Sequence, residues 1–86
     1  NIKKIINRYN SSPIIINAVN EILVDQFLKK KIAFYDIYRV LLKVLKDRNY
    51  KKFAVKDPRN IKEIFQIDDW ARKITLEKIW DLYYLN

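Results

Sequence analysis

The chain has 86 residues, half of them hydrophobic, with 18 Lys and Arg against 10 Asp and Glu for a formal charge of +8. That length allows one domain around a small core. Without glycine there is neither a dinucleotide fingerprint nor a P-loop, and without cysteine or histidine there is no zinc site of the usual kind, no disulfide, no thiol nucleophile and no imidazole base. No apolar run approaches the roughly 18 residues that cross a bilayer, and nothing at the start resembles a signal or transit peptide. A soluble piece with no membrane partner is expected, and a chain that opens on Asn1 reads as a fragment or a processed product.

Segments of helical period separated by short polar stretches, with no alternating strand pattern, predict an all-α fold: a small helical bundle of about four main helices plus a short extra helix. Ile2, Ile5, Ile6 and Tyr9 mark a first amphipathic helix. After the turn Asn10-Ser11-Ser12 comes the central helix, Pro13 to Leu28, with Ser12 as its expected cap and proline at its first position. At about 100° per residue, Ile15, Val19, Ile22, Leu23 and Phe27 form the arc that other helices cover. Asn20 projects between Ile16, Val24 and Phe27, and Asn17 between Val24 and Leu28. Both amides are therefore expected to be buried and bonded to backbone, with Glu21 completing the network, since an unpaired buried amide costs roughly 1–3 kcal/mol. The cations Lys29, Lys30 and Lys31 suit the carbonyl end of this helix.

Ile32-Ala33-Phe34 is a short apolar plug with Phe34 as its expected anchor. Asp36 offers a cap or a first-turn carboxylate for a helix whose Ile37, Val40, Leu41, Val44 and Leu45 make one buried stripe, with Arg39, Lys43, Lys46 and Asp47 off it. Asp47 to Asn60 reads as a loop lying on the bundle through Tyr50, Phe53 and Val55, with a turn at Asp57-Pro58. Asn60-Ile61-Lys62-Glu63 has the form of a capping box for a short helix to about Ile67. Asp68 is placed to cap a longer helix carrying Trp70, Ala71, Ile74, Leu76, Ile79, Trp80 and Tyr83, unless the two fuse.

Several residues invite a chemical reading, and in each a structural one is stronger. Glu21 and Asp25 lie one turn apart, but no third metal ligand accompanies them. Adjacent Asp68 and Asp69 diverge by about 100° on a helix and make a poor acid pair. Arg72 suits a phosphate, yet a carboxylate within the bundle is the expected partner. Trp70, Trp80, Tyr83 and Tyr84 could stack bases, but their helical spacing favours core packing. The lysines sit mostly at segment ends rather than along one stripe, and the abundance of Asn, Ile, Lys, Tyr and Phe fits A/T-rich codons, so part of the charge is read as genome composition.

Three blocks resemble one family, the C-terminal helical domain of 1-deoxy-D-xylulose 5-phosphate reductoisomerase. Asn17-Ala18-Val19-Asn20-Glu21, followed by Phe27-Leu28, stands where that family has Asn-Ala-Ala-Asn-Glu. Ile32-x-Phe34-x-Asp36-Ile37 matches its plug and helix start, and Asp68-Asp69-Trp70-Ala71-Arg72 its Asp-x-x-Ala-Arg block. Val19 replaces a smaller alanine, Lys30 stands where the family often carries glycine, and Tyr35 where a small or hydroxyl residue is common.

The resemblance implies that residues 1–86 form a single C-terminal domain of a homodimeric enzyme of the non-mevalonate isoprenoid pathway. Such an enzyme converts 1-deoxy-D-xylulose 5-phosphate to 2-C-methyl-D-erythritol 4-phosphate with NADPH and Mg2+ or Mn2+. Its preceding catalytic and NADPH-binding domains hold the cofactor, metal and substrate, leaving no catalytic, cofactor or metal residue here. In this piece Asn17, Asn20, Glu21, Phe34, Asp36, Asp68 and Arg72 are the structural motif, and no nucleic-acid partner is implied. Composition suggests a plastid (apicoplast) of a parasite, or alternatively a bacterial cytoplasm. The competing reading is a free-standing basic helical module that binds nucleic acid or a protein partner.

Overall fold

A computed structural model describes residues 9–84 and contains four helices: α1 (Ser12–Leu28), α2 (Phe34–Leu45), α3 (Tyr50–Ala54) and α4 (Ile61–Tyr84). No strand occurs among the described residues, as the periodicity predicts. The first expected helix lies outside the described residues apart from Tyr9, whose ring meets Tyr50 edge-on at 6.4 Å.

Ile15, Val19 and Leu23 repeat every four residues along α1 and are completely buried, joined by Ala18. Val40 and Val44 of α2 and Ile67 and Ala71 of α4 close over them. Burying such side chains contributes about 1.5–3 kcal/mol for each large aliphatic, which is what holds helices of modest propensity together. The central arc is therefore as the sequence predicts, with Ile22 and Phe27 at its half-buried margins.

Ser11 and Ser12 do not cap α1. Ser11 occupies the cap position without a side-chain bond to the first turn. Its hydroxyl instead donates to the Lys56 carbonyl at 2.5 Å, while its N–H donates to Ala54 O at 2.9 Å. The Ser12 hydroxyl shares a 2.7 Å hydrogen bond with Tyr50 OH. Both serines are buried, so the connection after α2 supplies the partners that solvent cannot. This anchoring also explains α3, which interrupts the loop expected over 47–60: Tyr50 and Ala54 are buried one turn apart, and Phe53 stacks on Trp70 at 4.6 Å. Val55, expected to pack, is exposed just past the helix.

α1 stops in a Schellman turn. Lys31 N–H donates to Gln26 O and Lys30 N–H to Phe27 O, each at 2.9 Å. Lys30 is thereby forced to φ 61°, a left-handed conformation that a glycine would take without the steric cost of a Cβ. The lysine run ends the helix by backbone geometry, and Lys29 also pairs with Asp25 at 3.1 Å.

The two helices expected after Asn60 are one, α4, of 24 residues. Asp68 lies in its middle and caps nothing, because no glycine or proline interrupts the helix there and its carboxylate meets Arg72 one turn on. At the start, Glu63 N–H donates to Asn60 Oδ1 at 2.9 Å, half of the expected capping box. The returning carboxylate accepts from Arg59 N–H at 2.6 Å, one residue earlier than expected.

Candidate functional site

Two polar junctions bind α4 to the rest of the bundle, and they contain most of the residues the sequence singles out. The inner one begins at α2. Asp36 is the third residue of that helix and only 1% exposed. Its Oδ2 accepts from the Ala33 N–H at 3.0 Å, the return bond of a helix start, and Oδ1 accepts from Arg39 Nη1 at 3.2 Å. The third donor is the hydroxyl of Tyr83, from the last turn of α4, bonding to Oδ2. This bond to the carboxylate, reinforced by burial, raises the Tyr83 phenol above its ordinary value of 10.0. The sequence pointed to Asp36 but took Tyr83 for a packing aromatic; a phenol hydroxyl 47 residues away leaves no local signal.

Phe34 is not the anchor of the plug. It is 73% exposed and touches Phe27 edge-on at 5.6 Å, while Ile32 is the buried residue. Asp36 has to face inward as the third residue of the helix, which leaves Phe34, two positions earlier, turned away from it.

The outer junction centres on Arg72 of α4. Its Nε donates to Asp68 Oδ2 at 2.7 Å and its Nη2 donates to Glu21 Oε2 of α1. Hydrogen bonds from Asp68 and then Glu21 raise the guanidinium above its usual range. Arg72 thus pairs with carboxylates as expected, though at the surface rather than inside the bundle. The junction joins the first and third family blocks across two helices.

A third tie, absent from the sequence reading, links the turn after α2 to α4: Lys78 Nζ lies 2.9 Å from Asp47 Oδ2, with both side chains largely sheltered. Burial opposes charge on Asp47, but bonds from Lys78 and the Asn49 N–H, with the charges of Lys78 and Arg48, outweigh it and hold the carboxyl below 3.8.

Asn17 and Asn20 are exposed, contrary to expectation, and neither carboxamide bonds to another described residue. α1 is apolar on almost every side, so neighbours in projection could not tell the inner face from the outer; Val24 and Leu28, which flank the amides, are themselves exposed. Trp80 likewise is not core. It is 56% exposed and stacks on Tyr84 at 4.1 Å, on the side of α4 opposite Ala71 and Ile67. Among the described residues no group of three acidic, histidine or cysteine side chains is placed to hold a metal, and Asp25 and Asp69 are occupied by Lys29 and Lys73.

Each of these contacts ties α4 to α1, to α2 or to the turn that follows α2, which defines a helical bundle whose polar contacts set how α4 lies on the rest. The particular family follows from the sequence: residues 2–74 match the DXP reductoisomerase C-terminal domain, and the chain belongs to that family. It is 40% identical over 67 residues to 1-deoxy-D-xylulose 5-phosphate reductoisomerase of Francisella tularensis subsp. novicida (strain U112), a match covering 78% of this chain and 16% of the relative. The apicoplastic enzyme of that name from Plasmodium falciparum (isolate 3D7) is 35% identical over 74 residues, covering 86% of this chain and 14% of the relative. The chain therefore spans about one-sixth of the length of the curated relatives it matches. No solved structure matches it significantly. No helix among the described residues is long and apolar enough to cross a membrane.

Proposed function

We propose that residues 1–86 act as the single C-terminal helical domain of a reductoisomerase that converts 1-deoxy-D-xylulose 5-phosphate to 2-C-methyl-D-erythritol 4-phosphate in isoprenoid biosynthesis. The observation that carries this reading is the family match over residues 2–74, with the Glu21–Arg72–Asp68 junction joining two of the family blocks. NADPH and a divalent cation, Mg2+ or Mn2+, serve the whole enzyme. Both are held by preceding domains of the same polypeptide, and the enzyme works as a homodimer. In this role Asn17, Asn20, Glu21, Phe34, Asp36, Asp68 and Arg72 position the domain and take no part in the chemistry. A plastid or a bacterial cytoplasm is the setting, in keeping with the two kinds of relatives.

The reading as a free-standing basic module gains nothing from the contacts. Lys29, Arg39, Arg72, Lys73 and Lys78 each pair with a carboxylate, which offsets part of the positive charge.

The test is an assay of the natural full-length polypeptide. NADPH oxidation that requires both 1-deoxy-D-xylulose 5-phosphate and a divalent cation is expected. A full-length protein that folds and shows no such turnover contradicts the proposal.

A further inference from the structure

Asn17, Asn20, Val24 and Leu28 recur at spacings of three, four and four residues and form one stripe along α1, directly opposite the buried line of Ile15, Val19 and Leu23. Together with Glu21 and Asp25 they line a shallow depression. The stripe has two unlike halves: two carboxamides without a partner among the described residues, and then Val24 and Leu28, 46% and 71% exposed. Neither feature serves the fold of the described bundle, although the asparagines belong to the first family block.

The charge on this face identifies the kind of partner. The chain carries +8 overall, yet the stripe contains no cation. The carboxylates along its edge are paired with Arg72 and Lys29. Nothing here attracts a phosphate backbone or an anionic membrane. A carboxamide presents both donors and an acceptor, the complement of a peptide group, and the apolar half accepts an aliphatic or aromatic side chain. The aromatic patch at the end of α4, where the exposed Trp80 and Tyr84 stack on one another, is a weaker candidate, because it lies outside the residues that match the family.

We infer that the outer stripe of α1 is the docking surface for the rest of the same polypeptide, with Asn17 and Asn20 bonding main-chain amides and carbonyls of a preceding domain and Val24 and Leu28 seating an apolar side chain. The occupant is argued from length: the relatives carry most of their chain outside the part that matches this domain, and a domain of that share has to be held against the remainder. This inference rests on the proposed role as a C-terminal domain and adds where the contact is made.

The test uses the natural full-length protein with a photo-crosslinking amino acid at Leu28, and a control with the same group at Lys43, exposed on α2. Intrachain crosslinks from position 28, and not from position 43, to a peptide preceding Asn1 are expected. The double variant Asn17→Ala/Asn20→Ala should then reduce hydrogen-exchange protection of that crosslinked peptide roughly tenfold or more. Crosslinks from position 28 only to a second copy, equal yields from the two positions, or unchanged protection in the double variant would overturn the inference. Turnover measured on the same preparations separates the two proposals. Active enzyme without the position-28 crosslink removes the docking surface alone, and the crosslink in an inactive protein removes the catalytic assignment alone.

Discussion

The block at Asn17–Glu21 and the block at Ile32–Ile37 both carry the family pattern, yet they use polar residues in opposite ways. In the first, the two amides face outward from α1, and Glu21 reaches sideways to Arg72 in a pair open to water. In the second, a carboxylate is enclosed and holds three donors from the turn before α2, from α2 itself and from the end of α4. The difference teaches that belonging to a family motif says little about what a residue contributes to stability. Burial decides: a charge withdrawn from water depends on every donor around it, whereas an exposed pair competes with solvent and salt.

The largest effect should come from breaking the enclosed junction. Asp36→Ala removes the acceptor of the Tyr83 hydroxyl and of Arg39 and leaves the Ala33 N–H only its 3.3 Å bond to the Tyr83 oxygen, and should cost about 3 kcal/mol, read from the urea midpoint at unchanged slope. Tyr83→Phe removes one donor and should cost about 1–2 kcal/mol. The same bond has a pH signature. Because the phenol is raised in the folded state, its contribution is complete below pH 10.0, the unfolded value, and is lost as pH rises through the folded value. Stability curves of wild type and Tyr83→Phe should therefore converge in alkali and remain parallel near neutrality.

Between the two junctions lies Lys30, in the turn that leads from α1 to α2. Lys30→Gly relieves a left-handed φ at a residue with a Cβ and should raise stability by about 1 kcal/mol, seen as a higher thermal midpoint. A smaller change is expected at the open pair. Glu21→Gln should cost under about 1 kcal/mol, and the loss should shrink further at high salt, whereas the loss in Asp36→Ala should hardly respond. A strong salt dependence at Asp36 would erase the distinction drawn between the two blocks.

How much of this could be read in advance followed from how each segment distributes its apolar residues. α2 was legible because Ile37, Val40, Leu41, Val44 and Leu45 leave a clean polar side, and Asp36 because a carboxylate near a helix start has few other uses. α1 was legible in extent but not in rotation: with isoleucines and valines on both sides, periodicity could not show that Asn17 and Asn20 face out. α3 leaves no signal in the sequence, since five residues are too short to display a period, and it is held by Ser11, Ser12 and Trp70 from elsewhere in the chain. The pairing of Arg72 with an acid was foreseeable from its type, but its partner in α1, the Tyr83 hydroxyl and the Asp47–Lys78 tie are long-range and appear only in three dimensions.

The most direct test of the contrast between an outward and an inward block is to unfold Asn17→Ala/Asn20→Ala and Asp36→Ala side by side in urea in residues 1–86 alone, where no docking contact contributes. The account predicts that the double variant stays within about 0.5 kcal/mol of the parent, since the amides touch nothing they stabilise, while Asp36→Ala loses about 3 kcal/mol. Comparable losses in the two variants would show that the asparagines belong to the fold after all, and would contradict the assignment of that face to docking.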